Sequence, residues 1–330
     1  MVCGMSSSNE SNLLRKGVSP SKVGIPANTH LSAIEFLVQR FPAIQREVWL
    51  QRFLEGGILN AEGINIGPNQ SVLHETHLLY FRHVADEPTL PFKAQIIFQD
   101  EHLIVADKPH FMPVTPGGQY VQQSLLVQLK QDFNLPELSP IHRIDRETAG
   151  LVMFSVRAND RNAYQQLFRL QQVQKTYEAI AGIPESSPLN MVFPITYKSM
   201  MASDEQFFKM RELTARECAT TDQSNSETWI DCVESLEPDV SASSASKQSL
   251  KSLAKYIMKP VTGQRHQLRV HMNALGLPIL HDQFYPTVKK LTTEEDDFEQ
   301  PLQLLAKSIA FLDPLTGQTR EFKSELKLQH

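Results

Sequence analysis

The residues best suited to chemistry lie between positions 140 and 156 of the 330-residue chain. Six consecutive positions there carry most of the charge, through His142, Arg143, Asp145, Arg146 and Glu147. The apolar run Leu151–Phe154 follows the small pair Ala149-Gly150, which indicates a turn leading into a buried strand. Catalytic groups often lie on a polar loop that a core strand holds in place. Asp145 is the best candidate for a nucleophile or base in this loop. A solvated turn with a surface ion pair explains the same pattern.

A second dense polar cluster occupies residues 263–271. On a helix, this segment and the residues after it would carry a polar side formed by His266, Arg269 and Asn273. The opposite side would be apolar, formed by Leu268, Met272 and Leu275. Helical spacing of three and four residues produces these two faces. The polar side is either part of a site or a solvated face.

Tyr177 is a third candidate, within an alternating strand that begins near Lys175. Taken alone, this residue is explained equally well as a core aromatic. A role in a site therefore depends on what the two polar clusters do together.

Composition restricts the function classes. The formal net charge of −5 argues against a protein held on nucleic acid by bulk positive charge, but leaves room for a local basic cleft. Three cysteines at unrelated spacings form neither a disulfide framework nor a zinc motif. No apolar stretch is long enough to span a membrane, and the polar N-terminus does not resemble a secretory signal. We therefore expect a cytoplasmic protein without membrane association.

The elements that must position the candidates are predicted to form two domains. Residues 1–30 are polar and expected to be loose, and residues 31–86 form a small module of two helices followed by short strands. Residues 92–330 form the larger domain. Its strands outnumber its helices without regular alternation, which favours an α+β fold with a mixed, largely antiparallel sheet and flanking helices.

Individual elements are predicted from hydrophobic periodicity and from the glycine, proline and capping residues at their ends. Helices are predicted at 31–41, around 48–54, from 125, at 157–172 and at 264–275. Strands of the larger domain are predicted at 95–98, 103–106, 151–154, 175–180, 191–195, 228–233, 256–258, 302–312 and 321–328. The serine-rich stretch 241–249 and the acidic run 294–299 are predicted to be a mobile loop and a solvated loop.

The candidates together resemble one known family. The segment His-Arg-Ile-Asp-x-x-Thr-x-Gly at residues 142–150 is similar to the motif of the RluA-type pseudouridine synthases. Further similar segments follow in order, at residues 107–109, 175–182, 262–271, 276–279, 282–285 and 302–314. Several motifs in sequence make a specific match, which covers roughly residues 92–328.

The sequence departs from the family pattern at two places. Ala149 is present where the family usually has serine. Residues 263–266 are Gly-Gln-Arg-His, where the family usually has Gly-Arg-Thr-His. The module at 31–86 is similar in layout to the small RNA-binding module of many such enzymes. Its usual basic residues are reduced to Arg40, Arg46 and Arg52.

The resemblance implies a pseudouridine synthase fold and an isomerase that converts specific uridines in structured ribosomal or transfer RNA, without a cofactor. It implies that Asp145 is the nucleophile, kept ionised by Arg269 rather than by the neighbouring Arg146. Tyr177 is implied to stack on the uracil and to help remove the C5 proton. These three are the expected catalytic residues.

The remaining implied residues bind substrate. Leu268 would form an apolar wall opposite the tyrosine, and Arg143 would fill the place of the base that leaves the RNA stack. Lys108 and Arg265 would hold phosphates. His142 and His266 complete the expected set. RNA is the expected partner, and the protein is expected to be a monomer.

Two other hypotheses remain open at this stage. The chain could be a non-catalytic RNA-binding or assembly protein that retains the synthase fold. It could instead be a metal-dependent hydrolase using His142, Asp145, His266 and His271. The two helix histidines are five positions apart rather than the four that would face one metal ion, which argues against the hydrolase.

Overall fold

The computed structural model describes residues 13–82, 87–184, 191–204, 208–214, 216–217, 224–236, 252–289 and 296–329. The chain divides into two compact units. The first contains Met1–Thr89 and Thr115–Leu138, and the second contains Leu90–Val114 and Ser139–His330. Each unit has hydrophobic clusters of its own.

The first unit combines three helices with a small sheet. The helices are α1 (Ala33–Arg40), α2 (Arg46–Leu54) and α3 (Leu125–Asp132). The strands are β1 (Ser21–Gly24), β2 (Ile58–Leu59) and β3 (His77–Tyr80), antiparallel in the order β1-β3-β2. Ser32 and Glu35 form a capping box that fixes the start of α1. Trp49 is fully buried and contacts the ring of Tyr80 edge-on, at 5.4 Å between centroids.

Two boundaries of this unit differ from the sequence prediction. Strand β1 lies within residues 1–30, which were expected to be loose, because the Val23 side chain is buried in the core of this unit. Residues 115–138 were assigned to the larger domain but group with the first unit. One cause is Glu87, whose carboxylate accepts backbone hydrogen bonds from three residues of that segment, at 2.6–2.9 Å.

A mixed sheet forms the second unit. Its strands are β4 (Gln95–Gln99), β5 (Leu103–Lys108), β6 (Ser139–Pro140), β7 (Ala149–Ser155), β8 (Gln174–Gly182), β9 (Ile195–Ser199), β12 (Ser226–Leu236), β13 (Leu253–Pro260), β14 (Leu304–Leu312) and β15 (Thr319–Lys323). The order is β4-β5-β7-β14-β8-β13-β12-β9, with β6 on β7 and β15 on β14. Within the described residues, β7–β14 is the single parallel pair. The predicted α+β class with a largely antiparallel sheet is confirmed.

Two helices and a hairpin complete the second unit. The helices are α4 (Arg161–Arg169) and α5 (Gln267–Ala274), and the hairpin joins β10 (Met201–Ser203) to β11 (Met210–Glu212). The predicted apolar side of α5 is present. Leu268, Met272 and Leu275 pack into a core cluster with strand residues such as Ile230 and Tyr256. This packing leaves the polar side of α5 free to carry a site.

Strand β7 begins earlier than predicted. Ala149-Gly150 was expected to be a turn, but both residues belong to the strand and pair with Leu305 and Ala306 of β14. Gly150 has a φ of +108°, and a Cβ atom there would lie 2.3 Å from the Ala306 carbonyl oxygen. Glycine is required because the two backbones approach too closely for any side chain. The loop that carries Asp145 therefore runs directly into a fully buried strand.

Two predicted loops have different outcomes. The serine-rich stretch 241–249 lies outside the described residues. Of the acidic run 294–299, the described part includes Asp296, whose side chain is 7% exposed and pairs with Arg146 at 2.7 Å. The Asp296 carboxylate is therefore buried in an ion pair rather than solvated as was predicted for this run. A buried charge of this kind needs a partner of opposite charge. The helices in the described part of the chain are too short and too polar to cross a lipid bilayer.

Candidate active site

A cleft of about 700 Å³ opens in the second unit. It lies between the loop before β7, the end of α4, the start of β8 and the segment leading into α5. Eight predicted site residues line it within the described structure, namely His142, Arg143, Asp145, Tyr177, Arg265, His266, Leu268 and Arg269. The two polar clusters of the sequence, more than 100 positions apart, thus meet at one place.

Asp145 is the accessible carboxylate of the cleft. Its side chain is 24% exposed, and one oxygen, Oδ2, lies 3.5 Å from Nη1 of Arg269 and 3.9 Å from Nε2 of His266. Burial raises the pKa of this carboxyl, but His266 in its protonated form, Arg269 and Arg143 together outweigh burial, so that the pKa lies below its ordinary value. The group is therefore ionised at neutral pH and has an oxygen available to a substrate.

The side chain of Arg269 is buried next to Asp145 and is held in place by hydrogen bonds to Asp282. Its side chain is 1% exposed, and its Nε and Nη2 donate to the two oxygens of Asp282 at 2.8 and 2.7 Å. A third contact joins Nη1 to Glu147 at 3.6 Å. Burial lowers the pKa of this guanidinium, but the surrounding carboxylates more than compensate and raise it. A bidentate pair of this kind fixes the orientation of the guanidinium and also balances its charge.

Asp282 is in turn fixed by the backbone. Its Oδ1 accepts hydrogen bonds from the backbone N–H groups of Phe284 and Tyr285, at 2.8 and 3.1 Å. In the sequence, Asp282 is recognisable only as part of a matching motif, without a predicted role. The Asp-x-x-Tyr spacing was the available signal, because an aspartate that starts a turn bonds to amides two and three residues later.

Tyr177 faces the same cleft from β8. Its strand pairs on both sides, with Met258 on β13 and Ala306 on β14, so that its backbone is fixed. Burial, and then the negative charge of Asp145, raise the pKa of the phenol above its ordinary value. The hydroxyl is therefore protonated at neutral pH, and the ring offers a flat apolar surface.

His266 occupies an unusual backbone position at the start of α5. Its φ of 55° is in the left-handed region, which costs a residue with a side chain roughly 1–2 kcal/mol. The ring is held by a 3.0 Å hydrogen bond between Nδ1 and the hydroxyl of Tyr285. Burial lowers the pKa of His266 and outweighs the opposing attraction of Asp145. The strained backbone thus directs a neutral imidazole into the cleft.

Lys108 was predicted to hold an RNA phosphate, and that prediction is wrong for this structure. Its side chain is fully buried, and Nζ donates to the carbonyl oxygens of Pro109 at 2.9 Å and Arg146 at 3.0 Å. Burial lowers its pKa to about 7. The lysine is the last residue of the fully buried strand β5, so that its side chain lies in the core and ties β5 to the Asp145 loop.

His142 lines the cleft wall rather than reaching into the opening. Its Nε2 accepts the backbone N–H of Met153 at 3.1 Å, and its ring stacks on Phe168 at 4.6 Å between centroids. Burial, with Lys175, lowers its pKa to about 3. The imidazole is thus neutral and is used as a structural acceptor.

His271 points away from the cleft. Its Nε2 lies 3.0 Å from the hydroxyl of Ser226, and its Nδ1 lies 3.0 Å from that of Thr228. The side chains proposed for a metal-dependent hydrolase therefore do not converge, because both nitrogens of His271 face hydroxyl groups. In the part of the chain that the structure describes, no group of three potential metal ligands is found.

The rim of the cleft is basic and partly polar. Arg143 is exposed and Arg265 half-buried, and both line the opening as predicted. Sequence reasoning gave no role to Lys175, which also lines the cleft and donates to the Thr262 carbonyl at 3.3 Å. The signal was its position two residues before Tyr177, since alternate residues of a strand share a face.

The known proteins that this chain resembles are described as RNA pseudouridine synthases. Residues 102–274 match the family model described as RNA pseudouridylate synthase. The dual-specificity RNA pseudouridine synthase RluA of Haemophilus influenzae is 30% identical over 246 residues, covering 72% of this chain and 95% of the relative. An uncharacterized RNA pseudouridine synthase of Synechocystis is 26% identical over 258 residues, covering 76% and 78%.

The solved human RNA pseudouridylate synthase domain containing 1 has the same fold. It superposes with a TM-score of 0.53 at 19% identity, covering 74% of this chain and 94% of that one. The family model matches more than half of the chain, and the matched residues include both polar clusters. The chain therefore belongs to the RNA pseudouridylate synthase family, of the RluA type, and is an isomerase that acts on RNA.

Proposed function

We propose that this enzyme converts specific uridines in structured ribosomal or transfer RNA to pseudouridine, with Asp145 as the nucleophile. The observation that carries the proposal is an ionised, partly exposed carboxylate, fixed against a buried arginine, at the base of a cleft. A cleft of about 700 Å³ is within the usual size range for a ligand site.

The reaction exchanges one bond to the ribose for another. The bond between N1 of uracil and C1′ of ribose breaks, the base turns, and C5 bonds to C1′ instead. A carboxylate can divide this change into two easier steps by holding the ribose while the base turns. Asp145 is suited to this role because its oxygen faces the cleft while the charge is already balanced by Arg269.

Arg269 and Tyr177 have distinct proposed roles. The arginine keeps Asp145 ionised and oriented, and Asp282 and Glu147 keep the arginine in place. The tyrosine ring supports the turned base by stacking, opposite Leu268. Its raised pKa argues against the further role expected from the resemblance, since a protonated phenol is a poor acceptor for the C5 proton.

RNA would be bound at the rim. A uridine must leave its stack to reach Asp145, which costs a few kcal/mol. Arg143 is exposed at the opening and is the side chain that we propose to fill the vacated place. Arg265 would hold a neighbouring phosphate, which sets the register of the RNA rather than its sequence.

The test uses RNA from cells that lack this protein, because the target uridine is then unmodified. We expect the wild-type enzyme to create pseudouridine at defined positions, mapped by mass spectrometry, and Asp145→Asn to create none. Asp132→Asn is the matched control, since this carboxylate is exposed on α3 and does not line the cleft.

Two results would contradict the proposal. Pseudouridine formation by Asp145→Asn at the wild-type rate would exclude Asp145 as the nucleophile. RNA binding by the wild-type protein without any pseudouridine would favour the non-catalytic hypothesis. Circular dichroism of each variant establishes that the fold is intact.

A further inference from the structure

We propose that His266 is the general base that removes the proton from C5 of the turned uracil. This inference rests on the proposed function, in which Asp145 holds the ribose. When C5 bonds to C1′, its hydrogen must leave as a proton. The cleft must therefore contain a base, that is, a group with an available lone pair, near Asp145.

The position of His266 meets the distance requirement. Its Nε2 lies 3.9 Å from Oδ2 of Asp145, the oxygen that faces Arg269. C5 is bonded directly to C1′ at this stage, and C1′ is the atom that Asp145 has just released. The C5 hydrogen is therefore only two bonds from an atom that was attached to Asp145. It is therefore close to the Asp145 oxygen, from which Nε2 is 3.9 Å away.

The hydrogen bonds around His266 set its tautomer. The Tyr285 hydroxyl accepts the N–H of Met210 at 2.9 Å and donates its single proton to the Met210 carbonyl at 3.0 Å. The remaining contact of that hydroxyl, with Nδ1 of His266 at 3.0 Å, therefore takes its proton from the imidazole. Nδ1 carries the hydrogen, and Nε2, which faces Asp145, keeps its lone pair.

Among the described residues, the other groups that line the cleft are poorer acceptors of this proton. The released Asp145 carboxylate is a weaker base than an imidazole, because nearby positive charges hold its pKa below the ordinary value despite burial. Nε2 of His142 already accepts the Met153 amide, and the Lys175 amine, with a pKa lowered by burial to about 8, is mostly protonated at neutral pH. Tyr177 would first have to lose its own proton, against a raised pKa. His266 is neutral, because burial lowers its pKa.

The step balances without a further reactant. The C5–H electron pair forms the C5=C6 double bond, the electron pair of the C6=N1 double bond moves to N1, and N1 takes a proton from water. Nε2 takes the C5 proton and later returns it to water. The imidazolium formed meanwhile donates to Tyr285 through Nδ1 and faces the released carboxylate of Asp145, which stabilises its charge.

The experiment separates this step from the earlier ones by using two substrates. Total RNA from cells lacking the protein is prepared with uridine or with 5-fluorouridine. Fluorine at C5 cannot leave as a cation, so that 5-fluorouridine undergoes base release and rejoining but not the final step. Loss of 5-fluorouridine and formation of pseudouridine are both followed by mass spectrometry.

For His266→Gln we expect pseudouridine formation to slow by about 100-fold or more, the usual contribution of a general base. Its loss of 5-fluorouridine should stay at the wild-type rate. Tyr285→Phe, which removes the hydroxyl that sets the tautomer, should slow pseudouridine formation by a smaller factor and also spare 5-fluorouridine. His102→Gln is the matched control, since its ring pairs with Asp160 and does not line the cleft.

Two outcomes would overturn the assignment. One is wild-type pseudouridine formation by His266→Gln. The other is an equal slowing with both substrates, which would mean that His266 acts through Asp145 or through the fold. Failure of the proposed function itself is recognised separately, because Asp145→Asn should process neither substrate.

Discussion

Replacing Asp282 by asparagine tests whether the buried charge network is what holds the active site. Arg269 is 1% exposed, and Asp282 provides both of its short hydrogen bonds, at 2.7 and 2.8 Å. Removing one partner of a buried ion pair costs about 3–5 kcal/mol. Asparagine keeps one oxygen for Nη2 and the two backbone amides, while Asp145 and Glu147 remain at 3.5 and 3.6 Å. We therefore expect the lower end, about 3 kcal/mol.

The assay is thermal and urea unfolding of the purified protein, followed by circular dichroism. For a unit of this size, about 3 kcal/mol corresponds to a melting temperature lower by roughly 6–12 °C. Asp100→Asn is the matched control, because Asp100 is paired with Arg320 at 3.2 Å but is 28% exposed. We expect less than about 1 kcal/mol there. An equal effect of the two substitutions would refute the reasoning, since burial would then have no influence on the cost.

Two further predictions concern the loop that carries Asp145. Gly150→Ala should prevent the pairing of β7 with β14 and abolish stable folding, because its Cβ would lie 2.3 Å from the Ala306 oxygen, whereas Gly24→Ala, with open space around it and no positive φ, should be tolerated; yields of folded protein compare them. Lys108→Met should remove a pH dependence of stability. Burial lowers the folded pKa of Lys108 from 10.5 to about 7, so that between these pH values the unfolded chain binds more protons and wild-type stability rises with pH. Urea unfolding from pH 7 to 10 should show this extra slope, at most about 1.4 kcal/mol per pH unit, in the wild type only; parallel curves for the two proteins would contradict the burial of a neutral amine.

The sequence predicted the elements that depend on local pattern. The run Leu151–Phe154 indicated the core of β7, and the two faces of α5 followed from helical spacing. Helix boundaries were less accurate, since α4 begins at Arg161 rather than near Arg157. The four residues before it form a polar turn in which Asp160 binds His102 at 2.8 Å, a partner distant in sequence.

The site residues that lie in local sequence motifs were predicted, and those that depend on tertiary contacts were not. Asp145, Tyr177 and Arg269 were identified because they lie in dense or matching motifs, and the structure brings them to one cleft. The burial of Lys108 was not predictable, because it depends on contact with the Asp145 loop, which lies nearly 40 residues later in the sequence. The orientation of His266 likewise depends on Tyr285 and on the hairpin that holds it. These are tertiary contacts that no local pattern encodes.

The parallel pair of β7 and β14 has a consequence for how the enzyme is made. Ala149 pairs with Leu305, and the two residues are 156 positions apart in the chain. Ribosomes add roughly 5–20 residues per second, so that β7 has been synthesised about 8–30 s before its partner strand exists. During that time one edge of a fully buried, largely apolar strand is without its neighbour, and such edges recruit other chains. Among the strand pairs of the described residues, the strand that anchors the Asp145 loop therefore waits longest for its partner, and in that time it is exposed to aggregation and to chaperones.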